Sequence, residues 1–157
     1  IGSLVYYQSS SGGAINQPYQ SLQNNTLGVA FNYPQGWHMT VNQAQTSAHF
    51  ADSSQTGQIT ISTAATNGQQ LTQYLAQASA QLGMANTQTK PTLTFAGASW
   101  QEVQGNVTQK GVSDTLVLYV TEHNNHFYAL AFQAPATAYA QMEQVNFKPL
   151  RDSFSFL

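Results

Sequence analysis

Two histidines, in Glu122-His123-Asn124-Asn125-His126, are the side chains best spaced for chemistry in this sequence. Asn124-Asn125 tolerates positive φ at both corners, which suits a two-residue type I′ hairpin turn. Such a turn sets His123 and His126 directly opposite each other, close enough to share a zinc or copper ion. Glu122 or a neighbouring chain would have to complete the site, yet strand alternation sends Glu122 to the other face of the sheet. A zinc site needs at least three protein ligands, so His123 and His126 form only a candidate pair. No cofactor is expected.

Paired carboxylates would suit glycoside hydrolysis, in which two acids face a sugar from about 5 to 9 Å apart. Glu102 and Asp114 lie on consecutive strands joined around Lys110-Gly111. Reflected through that turn, Glu102 falls near Leu118 or Tyr119, and Asp114 near Asn106 or Val107. They are several residues out of register and read as solvated strand acids. There is no Gly-x-Ser-x-Gly elbow, no Gly-rich phosphate loop with its Lys and no His-Glu-x-x-His helix. No catalytic residue is assigned. His38 and His49 read as surface or edge residues. Trp37 reads as core. Trp100, flanked on its strand by Ala98 and Glu102, reads as a candidate exposed contact, as does Tyr128.

Composition narrows the partners. Only 6% of the 157 residues are charged, against about 25% in ordinary soluble domains. Gln, Asn, Ser and Thr fill nearly every polar position. Four Lys plus Arg cannot neutralise a run of phosphates, which argues against nucleic acid. They are also too scattered to dock on an anionic membrane. The net charge of −2 leaves no acidic tail, and the absence of Cys is permissive of export without proving it. No stretch is long enough to span a membrane. Ile1 to Tyr7, followed by Ser/Gly-rich sequence, reads either as a chain leaving an anchor for a linker or as a first strand and loop.

The elements that would position these side chains follow from periodicity. Residues 8–26 are polar and read as linker or loop, with structure starting at Leu27. Alternation predicts strands over 27–33 and 37–41, with Trp37, Met39 and Val41 facing in, and a Pro34-Gln35-Gly36 turn between them. Further strands are expected near 47–51, 58–63, 88–95, 98–108, 112–122 and 126–133. Leu71, Tyr74, Leu75, Ala78 and Leu82 recur at helical spacing, predicting a helix over 68–82 capped by Asn67 and stopped by Gly83. Val112 to Glu122 and His126 to Gln133 are apolar on both faces, so they belong mid-sheet, covered on both sides. A second helix is expected from Pro135, with Tyr139, Met142 and Val145 inward and Lys148-Pro149 interrupting it. The order implies α+β, an antiparallel sheet between helical layers.

Phe31-Asn32-Tyr33-Pro34-Gln35-Gly36-Trp37 resembles the aromatic-x-Tyr-Pro-x-Gly-Trp signature of PsbP-like domains. The helix at 68–82 and the closing Leu150-Arg151-Asp152-Ser153-Phe154-Ser155-Phe156 match that layout as well. The resemblance covers about residues 27–157. It implies an α/β/α sandwich of the kind shared with a Ran-binding nuclear import factor, in a superfamily that mostly binds and does not catalyse. Many bacterial relatives are lipoproteins or membrane-anchored domains.

The expectation is therefore a non-catalytic, extracytoplasmic binding module of unknown ligand, tethered to a membrane or a larger chain. It would use a sheet face or a helix–sheet groove. A hydrolase with a site invisible in sequence, and a metal-binding module at the His123/His126 hairpin, remain the alternatives.

Overall fold

The computed structural model describes residues 4–7, 17–54 and 56–157. Two antiparallel sheets carry the domain. The larger joins β4 (His38–Val41), β5 (Ser47–Ala51), β6 (Gln58–Ala65), β10 (His126–Pro135), β9 (Val112–His123), β8 (Ala98–Gln109) and β7 (Ala85–Phe95), in that order. The smaller joins β1 (Leu4–Tyr7), β2 (Gln17–Asn24), β3 (Val29–Pro34) and β11 (Ser155–Phe156). Helix α1 (Leu71–Gln81) carries the chain from β6 to the far edge at β7. From there β7 to β10 return as a meander until β10 pairs with β6. The three hairpins of the meander turn on Ala96-Gly97, Lys110-Gly111 and Asn124-Asn125, all with positive φ. That is the type I′ geometry whose twist matches the strands.

Successive side chains on a strand point to opposite faces, and β9 and β10 are apolar on both. On the inner face, Val117, Tyr119, Tyr128, Leu130 and Phe132 join Phe31 and Tyr33 of β3 and Phe147, Leu150 and Phe154 near the C-terminus. On the outer face, Leu116, Leu118, Val120, Ala129 and Ala131 meet Leu71, Tyr74, Leu75, Ala78 and Leu82 of α1. Helices thus cover both faces, as expected, and the small sheet shares the inner one.

The C-terminal helical segment departs from the simple pattern. Pro135 ends β10, paired with Asp114, and does not start a helix. Helix α2 (Tyr139–Met142) runs into a π-helical turn (Glu143–Phe147) and then into α3 (Lys148–Ser153). The wider turn shifts the inward register after Met142 from Val145 to Phe147, Leu150 and Phe154. Pro149 lies in the first turn of α3, directly after the π turn, and the segment continues through it; Val145 O, four residues back, accepts from the Tyr19 hydroxyl instead of from a backbone N–H at 149. Arg151, 6% exposed, anchors this segment. Its Nη1 donates to Glu143 Oε1 at 2.8 Å, its Nη2 donates to Oε2, and the guanidinium lies 5.2 Å from the Tyr119 ring centroid.

Other expectations need correction. Gln17–Asn24 is a strand paired with β3, whereas the sequence read 8–26 as linker; residues 8–16 lie outside the described residues. Leu27 and Gly28 (φ +78°) form the turn before β3, which starts at Val29. Asn67 does not cap α1. It takes positive φ in the preceding turn, and Gln70 caps the helix in a reciprocal box with Gln73. Gly83 (φ +71°) stops the helix as expected. Met39 is 37% exposed, because β4 is a sheet edge. Trp37 lies half-buried in the turn after Pro34, against Gly57 and Met142; a Cβ on Gly57 would meet its indole at 2.8 Å.

Removing Arg151 alone strands the Glu143 carboxylate beside an apolar core. Arg151→Ala should therefore lose about 3 kcal/mol or more of unfolding free energy. Arg151→Met combined with Glu143→Leu should stay within about 1 kcal/mol of the parent. Urea denaturation checks both; a near-neutral single variant would show that the pair holds nothing together.

Candidate functional site

A helix is about 10 Å across, whereas strands repeat every 4.8 Å or so, so α1 can roof only two or three strands of the sheet. It lies over the β9 and β10 side, and no helix among the described residues covers the outer face of β4, β5 and β6. The step from helix to bare sheet forms a groove of about 400 Å³. Its floor is Thr60, Ser62 and Ala64 of β6 with Ala129 and Ala131 of β10. Gln77 and Gln81 of α1, with Gln69 from the segment just before it, form its wall. Among the described residues no Asp, Glu, Lys, Arg or His lines it.

Tyr74 stands between wall and floor. Its ring stacks on Phe127 at 4.6 Å, and its hydroxyl is hydrogen-bonded to Ser62. Burial raises the phenol above its usual range, and the Ser62 bond lowers it in part, so Tyr74 stays a neutral hydroxyl. Gln69 Nε2 donates to Gln77 Oε1 at 2.9 Å, linking two amides of the wall. The bare face continues the polar character. Register sets His49 beside Thr60 and Thr40 beside His49, and His49 Nδ1 lies 3.0 Å from Thr60 Oγ1. Partial burial lowers the His49 imidazole below its usual range, which keeps this rung uncharged at neutral pH.

The candidate residues from sequence fall elsewhere. His123 and His126 do face each other across a two-residue turn, with Asn124 and Asn125 at φ 52° and 60°. Glu122 pairs with Phe127 and points to the opposite face. The His123 ring stacks on Phe156 at 4.0 Å, and its Nε2 accepts from the Asn124 amide at 3.2 Å. His126 Nδ1 donates to Asn124 O at 2.9 Å. Among the described residues no three His, Cys, Asp or Glu side chains gather as a metal-holding group. Glu102 pairs with Tyr119 and Asp114 with Val107, as the reflection predicts. Tyr119 and Asp114 are an odd number of residues apart on β9, so the two acids sit on opposite faces and cannot flank one substrate.

Trp100 and Tyr128 are not exposed contacts. Trp100 is fully buried, stacked 4.5 Å from Phe95, with Nε1 donating to Phe95 O at 3.0 Å. Its environment comes from the preceding turn and the C-terminal Phe154 and Phe156, not from its strand neighbours. Tyr128, 7% exposed, donates its hydroxyl to Leu27 O at 3.1 Å.

Sequence reasoning also missed a charge cluster. Glu143, Lys148, Arg151 and Asp152 fall within ten residues of a chain that is 6% charged. Lys148 pairs with Asp152 at 2.7 Å on the surface, beside a shallower depression of about 260 Å³ that includes Tyr19, Asn32 and Ser153. Glu102 faces the buried Arg151 and its half-buried partner Glu143 from β8, with Lys90 across the strand. Burial raises the Glu102 carboxyl, and Arg151 offsets this only in part.

The sequence matches no protein-family model and no curated protein. Solved structures do match. Cyanobacterial PsbP (CyanoP) from Synechocystis sp. PCC 6803 superposes with a TM-score of 0.61 at 13% identity, over 96% of this chain and 98% of its own. The fold is PsbP-like. The Ran-binding protein Mog1p of Saccharomyces cerevisiae matches this chain with a TM-score of 0.60 at 10% identity, over 88% of this chain and 95% of Mog1p. A structure from Bacteroides thetaiotaomicron VPI-5482 gives 0.59 at 16% identity over 83% of this chain, which spans 45% of that protein's length. At such identities the likeness carries the fold alone.

A carboxyl whose folded pKa is raised binds its proton more tightly in the native state than in the unfolded one. Its ionisation therefore erodes stability as pH rises through the unfolded value, about 4.3 for Glu. Glu102→Gln should raise the melting temperature at pH 7, and the gain should vanish below about pH 4. A gain that persisted at low pH would assign the effect to something other than the Glu102 charge.

Proposed function

We propose that this PsbP-like domain is a non-catalytic binding module that takes an uncharged ligand in the groove beside α1. The observation that carries the reading is the groove itself, about 400 Å³ in volume and lined only by amide, hydroxyl and apolar side chains. That volume lies within the usual range of ligand sites. A hydrolytic site needs converging acids or a base beside a nucleophile; the acids considered for that role lie on opposite faces, and the base–hydroxyl pair beside the groove, His49 with Thr60 at 3.0 Å, has no carboxylate bonded to the imidazole among the described residues to complete a triad. Mog1p, which shares the fold, is named for binding Ran, and this accords with a domain that works by contact.

The second part of the proposal is location: outside the cytoplasm, tethered to a membrane or to a larger chain. Support comes from composition. A surface solvated by neutral amides and hydroxyls at 6% charge suits an exported protein, and the absence of Cys is compatible with either compartment. No described helix is long and apolar enough to cross a membrane, so in this reading the tether lies outside the described helices.

The test is a chemical-shift map of the isotopically labelled domain against a library of neutral polar fragments. Shifts should centre on Thr60, Ser62, Tyr74 and Gln77. Ser62→Trp, which fills the floor with an indole, should abolish them while leaving the circular dichroism unchanged. Fragments that settle instead beside Lys148 and Asp152, or shifts that survive Ser62→Trp, would refute the groove as the binding site. Fractionation of the source cells checks the location, and recovery in the cytosol would overturn it.

A further inference from the structure

The chemistry of the groove narrows the ligand further. We propose that it is a neutral glycan of several sugar units, an inference that rests on the binding reading above.

Each polar group lining the groove both donates and accepts. Gln69, Gln77 and Gln81 carry amides, and Thr60, Ser62 and Tyr74 carry hydroxyls. A phosphate or carboxylate ligand would call for Arg, Lys or a cluster of backbone N–H groups, and no cationic side chain lines the groove. A sugar hydroxyl is itself both donor and acceptor, so either orientation of an amide or hydroxyl partner satisfies it. Ala64 continues the Thr60–Ser62 row of β6, and Ala129 and Ala131 of β10 lie beside that row, so the floor also offers small apolar groups on which the C–H face of a pyranose can rest.

Spacing favours a repeating ligand. Gln77 and Gln81 are one helical turn apart, about 6 Å along the axis. Thr60 and Ser62 are two strand residues apart, about 6.6 Å. Both sides of the groove therefore offer hydrogen-bonding stations at nearly equal intervals. Tyr74 is already held by Phe127 and Ser62, so little side-chain freedom is lost there on binding.

A peptide fits less well. Strand addition requires a free edge, but β6 is paired on one side with β5 and on the other with β10. Recognition of alternate side chains requires pockets, and the floor is a row of small side chains, Thr60, Ser62 and three alanines.

The experiment titrates the labelled domain with uncharged hexasaccharides of glucose (α- and β-linked) and of N-acetylglucosamine, with a Gly/Ser hexapeptide in parallel. At least one hexasaccharide should shift the side-chain amides of Gln69, Gln77 and Gln81, and its trisaccharide should bind more weakly. Gln77→Ala with Gln81→Ala should weaken binding about tenfold or more, as expected for two lost neutral hydrogen bonds. The melting temperature should not fall, since Ala is the better helix former. If the hexapeptide or neutral fragments occupy the groove and none of the hexasaccharides does, the glycan inference is overturned while the binding reading stands. If every probe and fragment leaves the groove unshifted, both are overturned.

Discussion

The mismatch between one short helix and one wide sheet governs the outer half of this molecule. Eleven helical residues span about 16 Å, and seven strands span about 30 Å across. The apolar stripe of α1 is satisfied by β9 and β10, where Leu116, Leu118 and Val120 wait for it. Beyond that contact the sheet has to meet water, so β6 and β5 change to Thr60, Ser62, Ser47 and His49 on this face. The groove is the boundary between the two regimes. Its polarity follows from the same alternation that makes the other face of β6, Ile59 and Ile61, wholly buried.

On the inner face, scarce charge has a structural use. The aromatic cluster of Phe31, Phe50, Phe132, Phe147 and Phe154 would accept many packings, because apolar contacts lack direction. The bidentate Arg151–Glu143 pair is directional. It links the π-helical turn to α3 and sets the guanidinium over Tyr119 and Phe132 of the sheet. The π turn, in turn, offers Val145 O to the hydroxyl of Tyr19 on β2, so the small sheet is tied to the same segment. Replacing such a pair by apolar groups is often close to neutral, so what the Arg151–Glu143 pair adds where two sheets and a broken helix meet is its direction.

Much of this fold could be read from residue pattern. The double-faced strands at Val112–His123 and His126–Pro135, the Asn124-Asn125 turn and the stripe of α1 each carry a local signal, and all appear as expected. Failures came where tertiary contacts decide. Gln17–Asn24 alternates too weakly to announce a strand, and it becomes one because β3 offers it an edge. Ala98 and Glu102 say little about Trp100, because its cover arrives from Phe95 and from residues more than fifty positions away. A π turn has no compositional mark, so the inward register after Met142 could not be foreseen. The groove was legible only as a class of place. Its lining comes from β6, α1, β9 and β10, and no local motif joins them.

The order of strands gives the groove one more property. β4 to β6 form one locally connected meander and β7 to β10 another, and the two meet along a single join, β6 against β10, between residues about seventy apart in sequence. Thr60, Ser62 and Ala64 belong to one side of that join, and Ala129 and Ala131 to the other. Anything seated there bridges two halves whose association carries the largest loop-closure cost in the sheet. Occupancy would act as a clasp on the domain, coupling what is bound to whether the sheet stays whole.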